Sequence, residues 1–267
     1  MNATTALRYQ YAFLDSGTGG LPYLAQLKAR APTASYVYLA DTAHFPYGEK
    51  TRDEVIEFAV SAVGRLLDRF SPDLVVVACN TISVAALAAL REAFGIPFVG
   101  TVPAIKLAAA VSENRRIGLL ATERTVRDPY TDGLIRDFAA DCHVERVGDS
   151  TLVSQIEREL VTAGREERLR AVRPSIDRFR AAGVDTIVLA CTHFVHVRDE
   201  IDEAAGPGIK VIDSRDGVVQ QALRVVPPRP DGNGSGAFYV TGGLPPGAED
   251  RYREYADLFG VSWGGSL

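Results

Sequence analysis

Short apolar runs alternate along this chain with longer segments whose apolar residues recur at three- and four-residue intervals, the signature of strands joined by helices. The pattern predicts strands from Tyr11 to Asp15, Ser35 to Asp41, Leu74 to Cys79, Phe98 to Thr101 and Ile117 to Ala121. Four more are predicted from Cys142 to Val147, Thr186 to Cys191, Lys210 to Asp213 and Ala237 to Thr241. Several of these runs are apolar almost throughout rather than alternating, as expected of parallel strands covered by helices on both faces. The segment PPRPDGNGSG, from Pro227 to Gly236, has no apolar side chain except proline and predicts a flexible loop. A strand and an amphipathic helix, Ala248 to Phe259, follow it; they are too short to form a domain and are expected to dock on the N-terminal one.

Two strands nearly repeat each other: DLVVVACNT from Asp73 and DTIVLACTH from Asp185, with their cysteines 112 residues apart. The strand and turn of YAFLDSGTGG resemble those of RIGLLATERT at a similar offset. A duplication giving two similar halves accounts for both. The expected fold is α/β: two pseudo-symmetric three-layer α/β/α domains with mostly parallel sheets and the active site in the cleft between them. Residues 1–103 with 217–267 form the first domain, and residues 104–216 the second.

Composition narrows the function. The chain has 267 residues, 46% hydrophobic and 24% charged, the balance of an ordinary globular protein. A net charge of −5 offers no footprint for nucleic acid or anionic lipid, which leaves a small molecule as the expected partner. The longest charge-free apolar stretch, Leu74 to Leu90, is interrupted by Asn80, Thr81 and Ser83, so no membrane span is expected. Met1 to Gln10 lacks the apolar core of a signal peptide, and a cytoplasmic location is expected. The oligomeric state stays open, a homodimer included.

Three cysteines without a CxxC pair argue for reduced thiols rather than a disulfide framework. Cys79 and Cys191 each close an apolar run at the carboxyl end of a strand, where open α/β sheets bind their ligands. Asn80 and Thr81 are suited to capping a helix that begins near Ser83. Free amides and the positive end of a helix favour the anionic form of a neighbouring thiol. Thr192 and His193 follow Cys191, and His193 can stabilise a thiolate or protonate a substrate group. A single cysteine after an apolar strand reads as an inert core residue; two in equivalent settings read as a facing acid/base pair acting on one small polar substrate. Cys142, in DCHVERV, has no such setting and reads as inert, and His143 and His196 read as packing or surface residues.

Asp15 opens DSGTGG, whose glycines let backbone approach a ligand and whose Pro22 falls in the next helix's first turn. The spacing fits neither GxGxxG nor GxxxxGK[ST], which favours a carboxylate or amino-acid site over phosphate. Asp15 can orient a substrate ammonium, cap the helix, or do both. In ADTAHFPYGEKT, Asp41 ends a strand; the Tyr47-Gly48 pair can offer amides to a carboxylate, or the loop is simply a tight turn, with Glu49 and Lys50 leading into a helix. Cys191, His193 and His196 form a CxHxxH cluster, but no second ligand set accompanies it and HExxH is absent, so no metal is expected. The only lysines, Lys28, Lys50, Lys106 and Lys210, have no phosphate cup for pyridoxal phosphate, and no cofactor is expected.

Taken in order, DSGTGG, ADTAHFPYGEKT, VVACNT, VPAIK, LACTHF and VIDSRDG resemble the bacterial glutamate racemase family, from about Tyr11 to Leu223 and faintly through FYVTG. The resemblance implies cofactor-independent interconversion of L- and D-glutamate, supplying D-glutamate for peptidoglycan. It implies that Cys79 acts on D-glutamate and Cys191 on L-glutamate, with Asp15 and His193 joining the catalytic set. Asp15, Ser16, Tyr47, Gly48, Asn80, Thr81, Thr192 and His193 would hold the substrate, and Asp41 and Glu157 would assist the thiols. Three departures stand out. Asp149 and Ser150 replace the family's usual Cys-Pro, Phe194 to Arg198 replace an aromatic, proline and leucines, and Thr18 stands where valine is frequent. Racemisation of aspartate or another amino acid, and non-catalytic amino-acid binding on the same scaffold, are the alternatives.

Overall fold

The structure, a computed structural model, describes residues 8–267; residues 1–7, on which most of the leader-segment reading rests, lie outside the described residues. Ten strands run in chain order: β1 (Tyr11–Asp15), β2 (Tyr36–Ala40), β3 (Leu74–Val77), β4 (Phe98–Gly100), β5 (Arg116–Ala121), β6 (His143–Gly148), β7 (Thr186–Leu189), β8 (Lys210–Ile212), β9 (Gly236–Val240) and β10 (Ser262–Ser266). They form a six-stranded sheet, β10-β9-β2-β1-β3-β4, and a four-stranded one, β6-β5-β7-β8, with every pairing among the described residues parallel.

The chain divides into two compact units. Residues 8–47, 51–101 and 215–267 make up the first, and residues 48–50 and 102–214 the second. The core of each sheet has the same order: its first strand lies between its second and third, and its fourth lies outside the third. In the first unit Phe13 of β1 is level with Tyr38 and Val76; in the second, Leu119 of β5 is level with Arg146 and Val188. The repeated DLVVVACNT and DTIVLACTH motifs therefore contribute topologically equivalent strands, β3 and β7.

Every residue of β1, β2, β3 and β7 is buried, which follows from helices covering both faces of a parallel sheet. Their ends are set by local signals. Pro22 stands in the first turn of the Leu21–Arg30 helix. Thr51 and Glu54 form a reciprocal capping box at the start of the Arg52–Phe70 helix.

The carboxyl-terminal segment adds β9 to the β2 edge, with Tyr38 level with Phe238, and the Ala248–Leu258 helix buries Tyr252 and Tyr255. One strand departs from the sequence reading. Ser262–Ser266, SWGGS, has neither apolar alternation nor β-forming composition apart from its tryptophan, yet it pairs with β9 as β10, with an irregularity between Trp263 and Gly265. Its cause is tertiary: β9 presents an unpaired edge, and Trp263 packs edge-on to Phe238 at 5.4 Å between ring centres. Among the described residues no helix is long and apolar enough to cross a membrane.

Candidate active site

In the first unit, Asp15, Asp41 and Cys79 stand at or just past the carboxyl ends of β1, β2 and β3, on adjacent strands around the point where strand order reverses. Cys79 is 5% exposed. The helix after it starts earlier than its sequence suggests. It spans Asn80–Ala93, Cys79 itself occupies the N-cap position with extended backbone, and its carbonyl accepts the Ser83 N–H at 2.9 Å. Asn80 and Thr81 are thus first-turn residues, not caps, and Ser83 does a different job. Its hydroxyl donates to the Val77 carbonyl and accepts the Thr101 N–H, joining β3 to the end of β4. This places Cys79 on the positive end of a fourteen-residue helix. Both polar atoms of the buried Asn80 amide are without a hydrogen-bond partner among the described residues. Burying an amide in that state costs about 1–3 kcal/mol.

Asp15 does not cap the Leu21–Arg30 helix, whose N-cap position is Gly20 with no side-chain bond. Its carboxylate instead accepts the Ser16 hydroxyl at 3.1 Å and the Gly17 N–H at 3.4 Å, which bends the chain locally and keeps the anion at the strand end. Asp41 is 1% exposed and accepts from Tyr47 Oη, from His44 Nδ1 at 2.8 Å and from Thr241 Oγ1 at 2.5 Å. Burial first, and then the Asp41 carboxylate, push the Tyr47 phenol far above its usual range; Cys79 and Asp15 act on it in the same direction. Tyr47 therefore stays protonated and donates to Asp41.

In the second unit, Cys191 follows β7 by two residues and is 6% exposed. It too sits at an N-cap position, here of a 3₁₀ segment, Thr192–Val197, that runs into the Arg198–Ala205 helix. His193 Nδ1 lies 3.9 Å from Cys191 Sγ, and His193 Nε2 lies 3.0 Å from Glu157 Oε2, with both side chains 2% exposed. The carboxylate requires a hydrogen on Nε2, which in a neutral ring makes Nδ1 the proton acceptor that faces the thiol. A thiol, its base and a carboxylate orienting that base form the arrangement of an activated nucleophile or proton carrier. Glu157 reaches inward from a π-helical turn, Ile156–Leu160, that continues the Ser150–Gln155 helix. Asp149, where the family resemblance leads one to expect cysteine, caps that helix through Leu152 N and accepts from Ser175 Oγ. Phe194, Val195 and Val197, in the divergent loop, are buried behind the cysteine.

Gly48 packs against Thr122: a Cβ at Gly48 would lie 2.8 Å from the threonine's own Cβ. Thr122 directly follows β5 and caps the Glu123–Arg127 helix. Its place in the second half matches that of Asp15-Ser16 in the first, the one signal that could have marked it. Thr241 and His44 went unmarked as well. Cys142 lies outside both clusters, half-buried beside Asp141, with burial pushing its thiol up. His143 is exposed and His196 half-buried.

The Asp/Glu/hydantoin racemase family model matches residues 23–222, and the chain belongs to that family. Its class is that of the racemases, isomerases that invert a stereocentre. The resemblance sharpens toward one member: the chain is 45% identical to the glutamate racemase of Treponema pallidum over 97% of both proteins, and 40% identical to that of Shewanella loihica over 85% of both. The crystal structure of Escherichia coli glutamate racemase in complex with L-glutamate and the activator UDP-MurNAc-ala superposes with a TM-score of 0.86. It is 34% identical, covering 97% of this chain and 98% of that one. Glutamate racemase from Thermus thermophilus in complex with beta-chloro-D-alanine gives 0.74 at 27% identity, covering 98% of this chain and 97% of that one.

Proposed function

We propose that the protein interconverts L- and D-glutamate without a cofactor, using Cys79 and Cys191 as the two proton carriers, and that it supplies D-glutamate for peptidoglycan. The observation that carries this reading is the repeated unit itself. Each half places an apolar strand, an alanine and a buried cysteine at a helical N-cap, in equivalent positions of two sheets with the same strand order.

Inversion at carbon needs a base on one face and an acid on the other. With L-glutamate bound, the Cys191 thiolate takes the α-proton and becomes a thiol, while the Cys79 thiol gives its proton to the opposite face and becomes a thiolate. The product leaves with a proton on the new face, and the two sulfurs have exchanged protonation states. The reverse reaction starts from that exchanged state, with Cys79 as base for D-glutamate. His193, held by Glu157, helps Cys191 shed its proton before the forward step. The Asp15 carboxylate suits the substrate ammonium. The unpartnered Asn80 amide and the first-turn N–H groups of Asn80 and Thr81 suit its α-carboxylate, whose neutralisation stabilises negative charge developing at Cα. By the same reading Ser16, Tyr47-Gly48 and Thr192 are further candidates to hold the substrate's polar groups.

Incubation with L-glutamate in D2O, without added cofactor and with reduced thiols, is expected to give D-glutamate carrying deuterium at Cα. Folded protein that neither racemises nor exchanges would refute the reading, and a kcat/KM favouring aspartate by a wide margin would reassign the substrate.

A further inference from the structure

The carboxyl-terminal segment does more than extend a sheet. Thr241, the first residue after β9, is 2% exposed. Its hydroxyl donates to Asp41 Oδ1 at 2.5 Å and accepts the Ala43 N–H at 3.1 Å. The other carboxylate oxygen, Oδ2, receives Tyr47 and His44. The His44 ring is stacked on Phe58 at 3.8 Å and 11°, so the imidazole fixes one side of the carboxylate. Among the described residues, the threonine hydroxyl is the side-chain group that holds the other.

The backbone in this region is secured independently. Thr241 N–H donates to the Ala40 carbonyl at 3.0 Å, Thr42 Oγ1 donates to the Thr241 carbonyl at 2.7 Å, and the β2–β9 ladder runs through five residue pairs. The hydroxyl is therefore not needed to dock the tail. What it adds is the orientation of one buried carboxylate and of the Thr42–His44 turn leading to Tyr47, the phenol that Cys79 and Asp15 both influence.

We propose that Thr241 is a positioning residue of the racemase site: its hydroxyl fixes the Asp41 carboxylate and the turn after it, and so sets where Tyr47 stands relative to Cys79. This rests on the glutamate racemase reading. It gives the far end of the chain a part in the reaction without contact with the reacting atoms.

The test uses the full-length protein with Thr241→Val, which keeps the shape and removes the hydroxyl, Thr241→Ser, which restores it, Tyr47→Phe, and the double variant Thr241→Val/Tyr47→Phe. Kinetics are measured well below the melting temperature of every variant. A hydrogen bond to a buried charge is worth enough that Thr241→Val should lower kcat/KM about tenfold, with Thr241→Ser within about twofold of wild type. If the effect passes through Tyr47, Thr241→Val should cost little more once Tyr47→Phe is present. Wild-type kcat/KM in Thr241→Val, equal impairment in Thr241→Ser, or fully additive losses in the double variant would each overturn the proposal while leaving the racemase reading intact. Absence of glutamate racemisation in the wild type would overturn the racemase reading, and this proposal with it.

Discussion

Glu157 touches His193 because the helix carrying it changes pitch. A π turn inserts extra backbone and re-aims the side chains that follow, which is why such turns recur at functional sites. The carboxylate then decides which imidazole nitrogen faces Cys191. Replacing Glu157 by Gln leaves the size of the side chain nearly unchanged but lets an amide donor meet Nε2, which favours the wrong tautomer. We expect kcat to fall about 100-fold, the lower end of what general acid–base groups contribute, with KM for glutamate and the melting temperature little changed. Steady-state kinetics of L-glutamate racemisation with thermal melting measures all three. At this scale the sequence was most legible where chemistry and position coincide. The shared strand-end setting of Cys79 and Cys191, which Cys142 lacks, is visible in the sequence because a strand end followed by polar first-turn residues is a local pattern. Thr241 was not legible, since its partner Asp41 lies 200 residues away and a threonine just past a strand has no distinguishing local mark.

Among the elements, the two repeated strands share a device at their amino ends. Each begins after an aspartate that ties the preceding connections to the sheet: Asp73 pairs with Arg8 and Arg229, and Asp185 gathers Ser112, Glu113, Asn114 and Thr186. Burial works against ionising Asp185, but donation from Asn114 N–H, Ser112 Oγ, Glu113 N–H and Thr186 Oγ1 outweighs it and holds the carboxyl below its ordinary value. A value depressed in the native state means that the unfolded chain binds the proton more readily. The stabilisation is therefore complete above the ordinary aspartate value and is lost as pH falls through the depressed one. Asp185→Asn should destabilise the protein by about 1–2 kcal/mol near neutrality, and the deficit should close as pH falls below about 4. Urea unfolding of both proteins across that range is the measurement. The Asn80–Ala93 helix starts earlier than its sequence suggests because polar first-turn residues resemble caps, whereas the cap position belongs to the cysteine, whose side chain makes no capping bond there.

For the molecule as a whole, the duplication visible in two nine-residue motifs extends to the order of eight strands, so the α/β class and the repeated halves could be read from the sequence. β10 could not, because a strand made of serine, tryptophan and glycine exists only where an edge awaits it. The tail that includes it is integral to the first unit. Phe238, Val240 and Tyr255 are fully buried, and Tyr252 and Val261 nearly so. At roughly 2 kcal/mol for each such side chain, they contribute about 10 kcal/mol of burial, comparable with the whole stability of a typical domain. A chain ending at Ser235 should therefore lack a cooperative melt in its first unit, seen as loss of the near-ultraviolet circular dichroism of Tyr38 and its neighbours.

Behind Cys79, the hydroxyl of Tyr38 donates to the Gly17 carbonyl and accepts the Gly20 N–H, and a Cβ at Gly20 would come within 2.7 Å of the Ala78 methyl. The space at the root of the thiol is thus a shared allotment, filled by one methyl from position 78 and none from position 20. A methyl at position 20 would also meet the Tyr38 hydroxyl at 2.9 Å and the Ala78 carbonyl oxygen at 3.2 Å, so trimming position 78 to glycine would not make room for it, and the seat of the cysteine depends on a bare backbone at position 20.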